Sequence, residues 1–437
     1  MREFEQYLQC GRLENGFVRV KCDGCRHEHL VAFSCKQRGI CPSCGARRMV
    51  ESAAHLIDYV LPDVPVRQWV LSFPWPLRML FAARPDALSR CLSVITRAIQ
   101  SDLTHRAGLK VSSGARTGVV TVIQRFGGAL NLNIHLHMLV LDGVYTFEGG
   151  RPHFHRTRAP DPVQLKRLLD RLIHRILRRL VTDGLLVVDS EQPRLDFQPD
   201  ETMGNIESAS IRYRIAVGPD AGRRTMVIID PHLVSEVPRS TKPFTAARDG
   251  FSLNAAVVCQ PHQRQRLERL CRYITRPAVS LKRLSVDAKG HIRYALKHPW
   301  SNGTTHLVFG PVDFIARLAA LVPRPRRHLT RYHGVLAPNS PYRSMIVPRR
   351  KRQGRVGQSV PKDSEGQCLQ SMPEPDAVES GYPLAPLTWA QRLKRVFDND
   401  ITVCPKCGGR LRVIADVTDP ELIRRILAHR AQRGPPV

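Results

Sequence analysis

The stretch NLNIHLHMLV, Asn131 to Val140, alternates polar and apolar residues without a break as far as Met138. Asn131, Asn133, His135 and His137 interleave with Leu132, Ile134, Leu136 and Met138. Successive side chains of a β-strand point to opposite faces, so as a strand this segment carries four polar residues on one side and four apolar ones on the other. A helix would scatter both sets around its axis. The apolar residue between the two histidines keeps the strand anchored in a core while both imidazoles reach a single ion. His135 and His137 are therefore candidate metal ligands. Two histidines resting on a wet sheet face would give the same spacing; the polar row in an otherwise apolar strand favours the ligand reading.

Working outward, GVVTVIQRF (118–126) precedes this strand across Gly127-Gly128, which reads as a hairpin with a two-residue turn. In that register Gln124 pairs with Asn131 and Val120 faces His135. Four residues of strand, roughly 13 Å at about 3.3 Å each, then separate Gln124 from His135. This excludes Gln124 as a third ligand and leaves that ligand unknown. His153-Phe154-His155 repeats the histidine pattern, but it lies between Gly-Gly-Arg-Pro and RTRAP with no apolar strand to hold it, and is read as loop.

Farther out, VPVRQWVLSF reads as a strand and Pro85 to Arg106 as a helix. Leu165, Leu168, Leu169, Leu172, Ile173, Ile176, Leu177 and Leu180 give an amphipathic helix with a basic face. Residues 186–252 read as a strand-rich insertion, and a basic helix from Gln263 to Thr275 ends at Pro277. Short strands fill 280–345, around one helix near Val312 to Leu321. The organisation expected is a zinc-binding module at 1–52, a catalytic domain at 60–345 with the insertion at 186–252, a flexible linker at 346–386, and a module at 387–437 with a helix from about Thr388 and a cysteine knuckle.

Lys and Arg number 67 against 38 Asp and Glu, a formal charge of +29 over 437 residues, so a polyanion is the natural partner. No apolar run reaches the eighteen or so residues of a membrane span, and the start MREFEQYLQCGR lacks a signal-peptide core, so no membrane partner and a cytoplasmic, nucleoid-associated location are expected. The twelve cysteines then read as thiols and metal ligands. Cys22-x2-Cys25 and, fifteen residues on, Cys41-x2-Cys44 have the spacing of one structural zinc site. Cys10, Cys35, His27 and His29 are left over. Cys404-Pro-Lys-Cys407-Gly-Gly is half a knuckle with no second half in sequence; His429 and Cys368 are weak partners for it.

Four runs, GVVTVIQRFGGALNLNIHLHMLVLDGVY (118–145), RLERLCRYITRP (266–277), RYHGVLAP (331–338) and WAQRLKRVFDNDITVCPKCGGRLRVIADV (389–417), resemble rolling-circle transposases of the insertion sequence 91 family and related common-region elements. That resemblance implies an α+β fold of the HUH (histidine, hydrophobe, histidine) nuclease type, an antiparallel sheet flanked by helices with the histidine strand at its centre. It implies that His135 and His137 hold a catalytic Mg or Mn ion and that Tyr273 attacks single-stranded DNA at a transposon end, leaving a 5′-phosphotyrosine. Where founding members carry a second tyrosine this chain has Arg269, so it resembles the single-tyrosine subgroup. Arg266, Arg269, Arg272 and Arg276 surround Tyr273 and are suited to gripping the strand. Tyr145, Tyr294 and Tyr332 are rival nucleophiles, and Phe73, Trp75 and Trp300 are candidates for stacking on bases. A plasmid replication initiator or relaxase would share the chemistry; a zinc-containing DNA-binding protein without catalysis would share only the charge.

Overall fold

The computed structural model describes residues 2–35, 41–188, 193–234, 243–324, 327–348 and 403–432. The expected linker beyond Pro348 and the helix expected from Thr388 lie outside the described residues. The fold is mixed α and β with antiparallel sheets.

The chain opens with α1 (Arg2–Leu8), β1 (Phe17–Cys22), β2 (Glu28–Ala32) and α2 (Pro42–Tyr59). Next come β3 (Val66–Ser72), α3 (Trp75–Ala83), α4 (Pro85–Arg106), β4 (Gly118–Phe126), β5 (Leu132–Leu141), β6 (Gly143–Glu148), β7 (Arg151–Arg156) and α5 (Pro162–Thr182). The middle third holds β8 (Leu186–Val188), β9 (Pro193–Leu195), α6 (Glu201–Ile211), β10 (Met226–Val234), β11 (Thr245–Arg248), β12 (Phe251–Cys259) and α7 (Arg264–Thr275). After it follow β13 (Leu284–Val286), β14 (Ile292–Ala295), β15 (Asn302–Phe309), α8 (Pro311–Leu321), β16 (Thr330–Gly334), α9 (Arg343–Ile346), β17 (Leu411–Val417) and α10 (Pro420–Gln432).

Six strands form the central sheet in the order β11-β12-β3-β5-β4-β16, each pair antiparallel. The histidine strand β5 is interior, and β11, from the stretch read as an insertion, is an outer strand of this same sheet. One face, with Trp69, Leu71, Val119, Ile134, Leu136 and Met138, packs on the apolar sides of α3, α4 and α5. Helix α5 starts where the sequence dictates: Asp161 caps it just before Pro162 and forms a capping box with Gln164, and its apolar row is buried except for the half-buried Leu177. The other face, with Val66, Val120, Val122, Leu139 and Leu141, packs on α2 through Ala53, Leu56 and Ile57 and on α7 through Leu267, Cys271 and Ile274. His135 and His137 share parity with Leu139 and Leu141, so both lie on the helix-covered side and are buried, while Asn133 in the same row is only half-buried.

Two expectations need correction. The β4–β5 connection is not a two-residue turn: Gly127 N–H donates to the Asn131 carbonyl at 2.9 Å, Leu130 takes a positive φ of 53°, and a bulge shifts the register between Gln124 and Phe126. Gln124 therefore sits directly opposite His135 instead of four residues of strand away, and is no longer excluded as a ligand. The extra residues were invisible because two adjacent glycines are the strongest signal for a tight turn. His153 and His155 lie not in a loop but on β7, paired with β6, where Thr146 Oγ1 and His155 Nε2 are 2.8 Å apart.

Candidate active site and metal centres

Helix α7 brings the tyrosine to the histidines. Leu267, Cys271 and Ile274 recur at three-to-four spacing and bury against the sheet, which turns Arg266, Arg269 and Tyr273 outward. Burial of side chains this size contributes roughly 1.5–3 kcal/mol each, enough to hold the helix firmly while its outer face stays wet. Tyr273 is 46% exposed, yet its ring stands perpendicular to that of His137, with centroids 6.2 Å apart and planes at 87°. Gln124 donates its amide N–H to the Ile274 carbonyl at 3.2 Å and so ties the histidine face to the residue after Tyr273. The Arg276 guanidinium lies 4.1 Å from the centre of the Tyr273 ring and donates to the Tyr273 carbonyl at 3.2 Å.

The two imidazoles converge through their Nε2 atoms, 3.1 Å apart. His135 Nδ1 is 2.8 Å from the Asn133 carbonyl, an acceptor, so Nδ1 carries the proton and Nε2 presents a lone pair. His137 Nδ1 faces the Gln68 amide nitrogen at 2.8 Å, so that amide donates and His137 Nε2–H points at His135. Burial, followed by the His135 charge and the Arg276 cation, pushes His137 down to about 3. Burial lowers His135 as well, with Arg78 and Arg276 adding to the effect. Both rings are thus held neutral, the form that binds metals.

The arginines expected to grip DNA divide. Arg266 and Arg269 are exposed on the same side of α7 as Tyr273, and Arg276 covers the tyrosine ring. Arg272 is half-buried, its Nε shielded from solvent and without a hydrogen-bond partner among the described residues. Gln68 and Arg78 were missed. Gln68 carried a signal, a polar residue inside an apolar strand; Arg78, whose Nε donates to the Phe73 carbonyl at 2.6 Å, reaches the site only through the packing of α3. Of the rival tyrosines, Tyr294 is fully buried and burial pushes Tyr145 up to about 12, while Tyr332 is on the edge strand β16. Phe73 is fully buried against Phe81 and Phe251, which removes it as a base-stacking platform. Trp75 is half-exposed under Arg212, and Trp300 packs against Tyr213.

The cysteines correct the expected single zinc site. Cys22 and Cys25 do not join Cys41 and Cys44. Cys41 and Cys44, at the start of α2, cluster with Cys10 and Cys35, with Sγ separations of 3.5 to 3.7 Å along Cys41–Cys10, Cys35–Cys44 and Cys10–Cys44. Four thiolates about 2.3 Å from a central ion stand about 3.8 Å apart, so this cluster fits structural zinc. Cys22 and Cys25 lie instead beside Cys404 and Cys407. Cys10 and Cys35 were set aside because neither belongs to a Cys-x2-Cys pair; the long-range pairing of β1 that separates the two sets has no local signature.

Comparison with known families finds two matches, one spanning the N-terminal cysteines and one spanning the histidine strand. Residues 1–73 match a transposase zinc-binding domain of the insertion sequence 91 type. Residues 118–343, more than half of the chain, match the family described as "Putative transposase". No curated protein and no solved structure matches the chain significantly. On these two collinear matches, the chain belongs to the insertion sequence 91 type of transposases.

Proposed function

We propose that this transposase nicks one DNA strand at a transposon end by attack of Tyr273 in an HUH-type site, and so starts rolling-circle transposition. The observation that carries the reading is the approach of the Tyr273 ring to His137, whose Nε2 converges with that of His135. The phenol oxygen of Tyr273 bonds to the scissile phosphorus, the bond from phosphorus to the 3′ oxygen breaks, and that oxygen takes up a proton. The products are a 5′-phosphotyrosine and a free 3′ hydroxyl. Arg276 stabilises negative charge at the phenol as it loses its proton, and Arg266 and Arg269 hold the backbone of the unpaired strand. With Arg269 one turn before it, Tyr273 acts as a single nucleophile.

The donor set fits a divalent ion. Two adjacent ligands of an octahedral ion at about 2.1 Å are about 3 Å apart, close to the 3.1 Å between the Nε2 atoms. Gln124, opposite His135 with its amide nitrogen already engaged, would offer its amide oxygen as a third donor. Mg or Mn bound there would polarise a phosphate oxygen and stabilise the charge of the transition state. The test is incubation with a labelled single-stranded oligonucleotide carrying the element's end, with Mn. A covalent adduct that maps to Tyr273 supports the reading; nicking without any adduct, or no reaction on any end sequence, defeats it.

Ion binding requires His137 Nε2 to lose its proton to Nδ1, and the Gln68 amide to turn so that its oxygen accepts from Nδ1–H. Gln68 is in this way a positioning residue behind the ligand. Gln68→Leu should raise the Mn concentration for half-maximal adduct formation by about 10- to 100-fold while leaving the melting temperature close to wild type. An unchanged Mn requirement would remove Gln68 from the site.

A further inference from the structure

We propose that the chain binds a second zinc ion, and that this ion clasps its two ends together through Cys22 and Cys25 of β1 and the turn after it and Cys404 and Cys407 just before β17. Each pair alone is half a tetrahedral site. In the fold they face one another: Cys22 Sγ is 3.5 Å from Cys407 Sγ, Cys25 Sγ is 3.6 Å from Cys404 Sγ, and all four sulfurs lie within 4.8 Å of one another. A disulfide would need about 2.05 Å, whereas thiolates about 2.3 Å from one zinc stand about 3.8 Å apart. An all-thiolate tetrahedron leaves no open position and serves a structural ion.

A second feature of the backbone fits the same ion. Gly409 N–H points to Cys407 Sγ at 3.4 Å, the amide-to-sulfur contact that supports a thiolate. A Cβ at Gly409 would come within 2.9 Å of Cys22 Sγ and 3.2 Å of Cys407 Sγ, so this glycine lets the tail approach a sulfur from the other end of the chain. Asp23 N–H donates to the Arg410 carbonyl at 2.9 Å alongside it.

The clasp makes the end of the chain a structural part of its beginning. Strand β17 pairs with β1 from Phe17 opposite Val417 to Cys22 opposite Leu411, giving a three-stranded sheet in the order β17-β1-β2. Phe17 and Leu30 share a small core with Val417 and Ile423 of the tail. Arg430 donates to the Glu28 carbonyl at 3.2 Å, and Arg412 is 3.5 Å from Asp23. The zinc-binding match ends at residue 73, but a module built from those residues alone would lack one strand, half of that core and half of this metal site.

Native mass spectrometry of the intact chain should find two zinc ions. Cys404→Ser with Cys407→Ser should leave one, as should Cys22→Ser with Cys25→Ser. Combining all four substitutions should also leave one, because both pairs serve the same ion. If these variants do not fold, alkylation of the wild-type protein decides. Cys22, Cys25, Cys404 and Cys407 should be protected together from iodoacetamide and become reactive together on chelation. A wild-type chain with one zinc, or Cys404 and Cys407 alkylated at free-thiol rates in the zinc-loaded protein, would overturn the clasp. So would loss of two ions from the combined variant.

Discussion

Tyr273→Phe should lower formation of the covalent protein–DNA adduct by about a thousandfold or more, the scale seen when a sole nucleophile is removed. The substitution deletes the one atom that would bond to phosphorus. The ring, its perpendicular contact with His137 and the overlying Arg276 guanidinium are all retained. Tyr273 is half-exposed, so stability and affinity for a single-stranded oligonucleotide should move by no more than about 0.5 kcal/mol. Denaturing electrophoresis of the radiolabelled adduct reads the first effect; thermal unfolding and fluorescence anisotropy read the others. Tyr332→Phe should keep the adduct, since that phenol sits on edge strand β16 and burial raises it above its usual range. Adduct retained by Tyr273→Phe and lost by Tyr332→Phe would transfer the nucleophile from α7 to β16.

What the sequence made legible follows from how local each signal is. The alternation in Asn131 to Met138 identified β5 and the shared side of its histidines, because period-two patterning needs no knowledge of the neighbouring strands. Three-to-four spacing likewise placed α7 within one residue of its observed ends and put the Leu165–Leu180 row inside α5, which starts three residues earlier and ends two later. Register was another matter. Leu130 adopts a left-handed conformation that its residue type does not announce, and the resulting five-residue connection moved Gln124 from a distant position to the one opposite His135. The cysteines failed for a similar reason. Spacing finds ligand pairs that share a turn, but it does not say which pairs meet; Cys22 and Cys407, 385 residues apart along the chain, meet because β1 pairs with β17. Burial of the histidines was also hidden, since a polar row predicts a wet face, and only the packing of α2 and α7 over that row leaves His137 4% exposed.

Removing Asp142 should cost about 3–5 kcal/mol of folding stability, the largest single-site loss expected outside the hydrophobic core. Its carboxylate takes two hydrogen bonds from Arg67, Nε to Oδ1 at 3.0 Å and Nη2 to Oδ2 at 2.8 Å, and both side chains are 5% exposed or less. Arg67 spends its remaining reach on the Ala255 carbonyl at 2.9 Å, so it bridges β3, β12 and the β5–β6 corner. Two buried charges that neutralise each other gain little over apolar residues of the same size, but one left alone keeps its full desolvation cost. Asp142→Ala should therefore lower the urea midpoint far more than Arg67→Met combined with Asp142→Leu, which abandons only the bond to Ala255. A loss below about 1 kcal/mol in Asp142→Ala would mean that water reaches the guanidinium. The pair also bears on the histidines. It locks the end of the β3–β5 ladder, where Val66 faces Leu141 and Gln68 faces Leu139. A slip of one residue there would turn Gln68 to the opposite side of the sheet, away from His137 Nδ1. In whatever fraction of Asp142→Ala still folds, the Mn requirement should consequently rise in the same direction as in Gln68→Leu, although the substituted residue lies at the far end of the strand.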